Sequence, residues 1–545
     1  MIDGNSEWGK LAGHMAIGLA AAYLVSFFYK MIKVRLIFYR LKKQGMPMPP
    51  WNPILGHLHV VVGLSRRAPS DMRQADSFGA LASHYPELQD GFYLDVWPFG
   101  VPMLLVSSLE LAVQACQTYD LPKPDVLAPI IGEMAGGPNI FVTNGAEWKR
   151  ARELFNHGFS MSAVMARIPH IIEEANVFAD ILREHARKGD TFLLDHVACN
   201  YVMDVIGNEA LNTRFRYQQG YNPIAASMRD TIQWSQAEAA NPFYKFNPVR
   251  FFKQWRNSRT MNHYIGIELE KRYQEWLQNR PKPSTRPTRH QSIMDMTIAE
   301  YMKTRAAGPK LDPEFKTWAT FQIRLFLFVG HDSTAATIIF CLYQLSKHPD
   351  ILAKVRAEHD EVCGPYSAVE LLRQRPVVIN QLRYTSAVIK ETLRLHPPAN
   401  GLRDGLPGVV LQGQNGRVFP VEGFAIWNLH GAIQRNANSW PEPGSFIPDR
   451  WLVKPGHPLY PPNGGWRPFE HGPRNCVGQN MSLVTIKVTL LMIVREFDIH
   501  DQYVEWDRLH PSAGIRTMDG ERAYMVQKGS GHPAQGFPCK VLMAS

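Results

Sequence analysis

The sequence predicts a mostly α-helical protein with small β-sheets, an α+β fold in which one large domain follows an N-terminal membrane-spanning helix. Three observations predict it. Helical spacing of apolar residues recurs at 146–155, 168–185, 261–277, 315–345 and 381–395. Strand-like alternation with turn residues is found in two stretches, 91–106 and 409–424. An uncharged apolar run covers residues 11–29. With 545 residues and 45% hydrophobic content the chain can bury a sizeable core, in one large domain or in two or three smaller ones. No internal repeat points to a solenoid, and no later break in composition suggests a second catalytic domain.

Residues 11–29 would span roughly 28 Å as a helix at about 1.5 Å per residue, close to the thickness of a bilayer's hydrocarbon core. Asp3 and Glu7 precede the run. Lys30, Lys33, Arg35, Arg40, Lys42 and Lys43 follow it with no acidic residue among them, supplying +6 of the net +10. The positive-inside rule then places everything after Lys30 on the cytoplasmic side. A cleaved signal peptide expects a basic start and a small-residue cleavage site, which this acidic start opposes. The remaining +4 (10 minus 6) is dispersed, and no basic helix interleaved with aromatics marks a nucleic-acid interface.

Gly45-Met46-Pro47-Met48-Pro49-Pro50-Trp51-Asn52-Pro53 cannot continue a helix and should form a stiff extended connector. The expected division is therefore an anchor at 1–30, a basic and proline-rich hinge at 31–53, and one domain at 54–545. Within that domain, Trp148 and Arg152 stand four apart on a helical pattern and share a side of it. By itself this is a Trp packed under an Arg stem. Residues 122–144, with Gly136-Gly137-Pro138, read as a flexible loop, and 280–291, crowded with Pro, Arg, Ser and Thr, as a solvated one.

The most apolar helical stretch is interrupted. Leu325-Phe326-Leu327-Phe328-Val329 gives way to Gly330-His331-Asp332-Ser333-Thr334 before apolar residues resume. A helix-interior glycine costs about 1 kcal/mol relative to alanine, and a buried carboxylate needs a partner. Such a break marks a site, or else Asp332 and Ser333 cap a second helix. Further on, Glu391 and Arg394 face one way at i and i+3, as ordinary helix ion pairs also do.

The six cysteines (Cys116, Cys199, Cys341, Cys363, Cys476, Cys539) form no C-x-x-C pair, as in a chain folded in a reducing compartment. Cys476 lies in Phe469-Glu470-His471-Gly472-Pro473-Arg474-Asn475-Cys476-Val477-Gly478. A lone cysteine in a Gly/Pro-rich turn is usually an inert thiol. Here four further residues at set offsets suit a haem iron held by a thiolate. Arg474 can pair with a propionate, Gly472 and Gly478 allow close backbone approach, and Phe469 can shield the sulfur.

The pattern Phe-x-x-Gly-x-Arg-x-Cys-x-Gly resembles the haem-binding loop of the cytochrome P-450 superfamily, with every fixed position matched. The resemblance extends over nearly the whole chain and implies the cytochrome P-450 fold with haem b on Cys476. Residues 329–334 resemble the oxygen-binding kink of the family's central helix. They depart from it at Val329, where Ala or Gly is usual, and at Ser333, where the proton-relay threonine is usual. The resemblance implies proton delivery through Asp332, Ser333 and Thr334. It implies a structural triad of Glu391, Arg394 and Arg450, and propionate partners in Trp148, Arg152 and Arg403.

The implied activity is a membrane-anchored haem-thiolate monooxygenase, taking O2 and electrons from a separate NADPH-dependent reductase that docks near the cysteine loop, where Arg474 is available. The wording of the loop and of the kink most resembles fungal members, many of which tailor secondary metabolites. A lipophilic small-molecule substrate, a monomer and single-pass anchoring in the endoplasmic reticulum are expected. A haem-thiolate isomerase, dehydratase or peroxygenase without a reductase, and a non-enzymatic haem-binding sensor, are the alternatives.

Overall fold

The computed structural model describes residues 4–236, 246–278, 292–304, 308–511 and 513–544. The segment 280–291, expected as a loop, lies outside the described residues. The first helix, Gly4–Lys43, runs through the apolar segment and the basic cluster without a break at Lys30. Its apolar first part is long enough to cross a membrane and is exposed, while its last turns pack onto the domain. There Phe38 and Leu41 are buried, and Arg35 pairs with Asp95. Gly45, at φ +71°, ends the helix, and the proline-rich segment follows.

The expected helices are present as Gly145–Asn156, Ile168–Lys188, Pro248–Gln278, Pro313–Lys347 and Arg383–Leu395. The central helix, Pro313–Lys347, starts where the Asp312 side chain accepts from the Glu314 and Phe315 N–H groups, with Pro313 at a position that needs no N–H partner. It is long and apolar enough to cross a membrane as well, but most of its apolar window is buried inside the domain. It continues helical through residues 329–334, so Asp332 and Ser333 cap no second helix. Gly330 sits where this helix crosses Leu194–Leu211, and a Cβ there would stand 2.6 Å from Ile206 Cδ1.

Strands are few and short. A four-stranded sheet has the order Gly91–Leu94, Met103–Val106, Ala425–Asn428, Gly401–Asp404. Its middle pair is parallel, with Met103 opposite Ala425, and the outer pairs are antiparallel. The stretch 409–424 contributes the hairpin Val410–Gln412 and Val418–Pro420. Near the C-terminus a second hairpin pairs Met525–Lys528 with Ser530–Pro533 around Gly529, at φ +79°.

Residues 122–144 are not wholly a loop, because they contain the helix Leu127–Ala135, closed by Gly136 in the left-handed region. Buried Arg324 of the central helix ties it down, donating to the carbonyls of Glu133 and Met134 and to Ser258 and Asn262. Four donated bonds on one guanidinium hold two segments above the central helix.

Candidate active site

The cysteine loop hands its thiol to the start of the helix Gln479–Ile493. The Cys476 N–H donates to the Phe469 carbonyl at 2.9 Å, closing the loop, and Phe469 packs edge-on against Trp466. Of the six cysteines only Cys476 is exposed; the other five are buried and free. Its sulfur is nevertheless crowded by protein on one side. That burial raises its pKa, while the Gly478 and Gln479 N–H groups and the Arg152 charge pull it back. The sulfur thus faces open space from a wall of helix N-terminal amides.

The two loop glycines have different reasons. Gly472 is at φ +87°, and a Cβ would run into the Cys116 carbonyl, so packing of the chain explains it. At Gly478 the only protein atom a Cβ would meet is Cys476 Sγ, at 3.9 Å, which leaves room beside the sulfur. Glu470 is pinned by Arg467, His430 and Asn428, and the charges of His430, Arg467 and Arg403 hold its carboxyl well below the usual range against the effect of burial.

Cations gather around the same loop. Arg474 donates to the Thr143 carbonyl at 3.1 Å and lies 4.3 Å over the Trp148 ring. Arg403, on strand Gly401–Asp404, is fully buried, yet its Nε and Nη2 have no hydrogen-bond partner. Lys123 also stands here. Burial and the charge of Arg403 push it down to about 7, with Arg474 adding to the effect, and its ammonium lies 4.6 Å over Phe141. Lys123 was missed in the sequence because it belongs to no motif. Three gathered cations, one of them buried Arg403 with two donors unpartnered, fit the dianionic, iron-bearing cofactor that a haem is.

Arg152 donates both to the Asn475 carbonyl and to the Asn475 side chain, each at 2.5 Å, and so braces the cysteine loop. In the central helix, Ser333 Oγ donates back to the Val329 carbonyl at 3.0 Å. Thr334 Oγ1 donates to Ser482 at 3.1 Å, on the helix that follows the cysteine. Asp332 is buried against the C-terminal hairpin, accepting from the Ser530 N–H at 2.5 Å. The three residues are adjacent in sequence but point three ways.

Glu391, Arg394 and Arg450 do meet, and all are fully buried. Glu391 accepts from Arg394 Nη2 at 2.8 Å, Arg450 Nε at 3.0 Å, the Ile447 N–H and the Trp451 indole. A surface cleft of about 480 Å3, lined by Pro138, Trp318 and Phe321 among others, includes none of the residues expected to act. The site is therefore placed by the thiol and its cations.

A helical fold that presents one thiol at a helix start beside buried cations is compatible with a haem-thiolate protein. The comparisons agree. The family described as Cytochrome P450 matches residues 46–520. The chain is 36% identical over 97% of its length, and 95% of the relative's, to "Cytochrome P450 monooxygenase polC" of Polytolypa hystricis. It is 31% identical over 87%, covering 98% of the relative, to "Cytochrome P450 monooxygenase acrF" of Aspergillus aculeatus. The fold matches that of the "cytochrome P450DA heme domain" with a TM-score of 0.69 at 19% identity, over 92% of this chain and 97% of the other. The chain belongs to the cytochrome P450 family, and it is a monooxygenase.

Proposed function

We propose that this enzyme is a reductase-dependent monooxygenase of lipophilic small molecules, anchored in the endoplasmic reticulum membrane as a monomer by residues 1–30, with 31–53 leading to a catalytic domain at 54–545. The reading is carried by one observation: buried Arg403, with two donors unpartnered, lies close enough to Arg474 of the Cys476 loop for the two charges to act on each other, and Cys476 is exposed. Bound haem would supply the site where O2 is reduced and one of its oxygen atoms is transferred. Cys476 would hold the haem iron through its thiolate, and Arg403, Arg474 and Lys123 would neutralise the propionates, with Trp148 backing Arg474. Arg152 fixes Asn475 and with it the loop. Phe469 keeps water from the sulfur, and Gly478 leaves room for the ring. Asp332 relays protons for the reaction, with Ser333 and Thr334 as the nearby hydroxyls.

Electrons come from a separate NADPH-dependent reductase. That the fungal relatives are themselves monooxygenases supports a place in secondary metabolism. Incubation of the full-length, membrane-reconstituted enzyme with reductase, NADPH, labelled O2 and a panel of lipids and polyketides tests this. One labelled oxygen atom should appear in product only when NADPH is present. Conversion without NADPH would instead establish an isomerase, dehydratase or peroxygenase.

A further inference from the structure

Asp332 does not stand alone in the central helix. One of its oxygens accepts from the Ser530 N–H at 2.5 Å, and the other lies 3.3 Å from His532 Nε2. The opposite ring nitrogen, Nδ1, is 2.6 Å from Asp195 at the start of helix Leu194–Leu211. Asp195 in turn meets the Lys528 ammonium at 3.2 Å. Along this line side-chain exposure rises from 6% at Asp332 and 1% at His532 to 15% at Asp195 and 37% at Lys528. The line thus leads from the central helix to water.

The hairpin is built for this contact. Ser530 and His532 lie two apart on one strand and so present the same face to the helix. Gly529, at φ +79°, is so close that a Cβ there would stand 2.9 Å from Asp332 Oδ2. Neither neighbouring hydroxyl competes for the carboxylate, since Ser333 donates to Val329 and Thr334 to Ser482.

We infer that His532 and Asp195 form a proton path that enters beside Lys528 and reloads Asp332 during turnover. The inference rests on the proton-handling role proposed for Asp332. The overall reaction is R–H + O2 + 2 electrons + 2 protons giving R–OH + H2O, the electrons arriving from the NADPH-linked reductase. Imidazolium His532 is the resting proton store: its Nε2 proton crosses the 3.3 Å to Asp332 in step with delivery of a proton from Asp332, whose carboxyl is held below the usual range, and its other proton stays against Asp195. A half-turn of the ring brings the protonated nitrogen back to Asp332, and the bare nitrogen takes a proton through the Asp195 carboxyl from water.

A fixed arginine would hold Asp332 equally well, but only histidine among the basic side chains exchanges protons readily. The two flanking carboxylates raise the His532 pKa to about 10 and His532 in turn holds Asp332 below the usual carboxylate range, so at neutral pH the proton waits on His532 beside an ionised Asp332. His331 on the central helix and Arg229 lie nearby, with Cys199 kept neutral by burial. His532 and Asp195 act through Asp332 and are positioning residues.

The test uses haem-loaded, full-length protein with reductase, NADPH and O2, measuring NADPH oxidation and peroxide release across pH in H2O and D2O. His532→Arg preserves the ion pair and removes the exchange. It should load haem normally, slow NADPH oxidation about tenfold, raise peroxide per NADPH, and flatten the pH profile. Asp195→Asn should shift the same readouts about threefold. Wild-type rates and peroxide yields in both variants would overturn the path. If His532→Arg fails to load haem, Asp195→Asn decides alone, with wild-type behaviour overturning the path. Asp332→Asn separates the two readings. Unchanged peroxide in Asp332→Asn removes the role of Asp332 and the path with it, whereas impaired Asp332→Asn beside two wild-type-like variants removes only the path.

Discussion

Glu391 Oε1 lies 3.0 Å from Arg450 Nε, fifty-nine residues later in the chain, and neither side chain reaches solvent. Arg394 adds a second positive charge, and Trp440 lies against both guanidinium groups, 5.3 and 5.9 Å from their centres. One carboxylate thus balances two buried cations, helped by the carbonyls of Gln434, Pro443 and Ser445. Helix Arg383–Leu395 is thereby fixed to the chain that leads into the cysteine loop.

Removing that carboxylate strands the cations. Glu391→Ala should cost about 3–5 kcal/mol, the usual penalty for breaking a buried ion pair. The yield of haem-loaded protein, by Soret absorbance per polypeptide, should fall to a small fraction of wild type. Normal loading and an unchanged melting temperature would show the triad to be dispensable.

Lys123 ties haem retention to pH. Burial and neighbouring cations push it down to about 7, so before haem loading it loses its proton near neutrality. Propionates beside it would raise that value, and haem binding should then take up a proton above about pH 7. Haem loss should accelerate as the pH rises from 7 to 9 in the wild type. In Lys123→Met the rate should be higher, by about tenfold, and flatter with pH. The measurement is haem transfer to apomyoglobin.

His532 gives stability a pH dependence of known sign. Its pKa rises from 6.5 to about 10 on folding, because Asp195 and Asp332 flank it. Its contribution is complete below about pH 6.5 and is lost as the pH rises through 10. The melting-temperature gap between wild type and His532→Gln should therefore be widest near pH 6 and shrink toward pH 10. A gap that grows with pH would contradict the pairing.

The N-terminal helix has two separable parts. Deleting residues 1–30 should abolish flotation with liposomes and leave the melting temperature within a few degrees of wild type. Deletion through Lys43 also removes the Arg35–Asp95 pair and buried Phe38 and Leu41. That loss should cost several degrees or more, about 3–5 kcal/mol by the buried ion pair alone.

Much of this was legible in the sequence because local pattern carried it. The central helix shows as an apolar run, and the cysteine loop as five residues at fixed offsets. The Glu391–Arg394–Arg450 cluster was implied by the resemblance to the cytochrome P-450 family, not by the spacing of the residues. What was not legible depends on contacts remote in sequence. Lys123 acquires its setting from Arg403, nearly three hundred residues away, and His532 from Asp195 and Asp332. Residues 122–144 read as a loop because Pro and Gly bracket them, yet Arg324 supplies the bonds that order the helix Leu127–Ala135. Adjacency does not fix partners either: Ser333 and Thr334 neighbour Asp332 in sequence, but helical geometry turns them to Val329 and Ser482.

The central claim is that Cys476 holds the haem iron as a thiolate, and one spectrum tests it most directly. The reduced wild-type protein under carbon monoxide should show the red-shifted Soret band of a thiolate-ligated haem. Cys476→Ala should lose that band entirely, even in protein that retains some haem through Arg403, Arg474 and Lys123. A Cys476→Ala protein that keeps the red-shifted band would contradict the account.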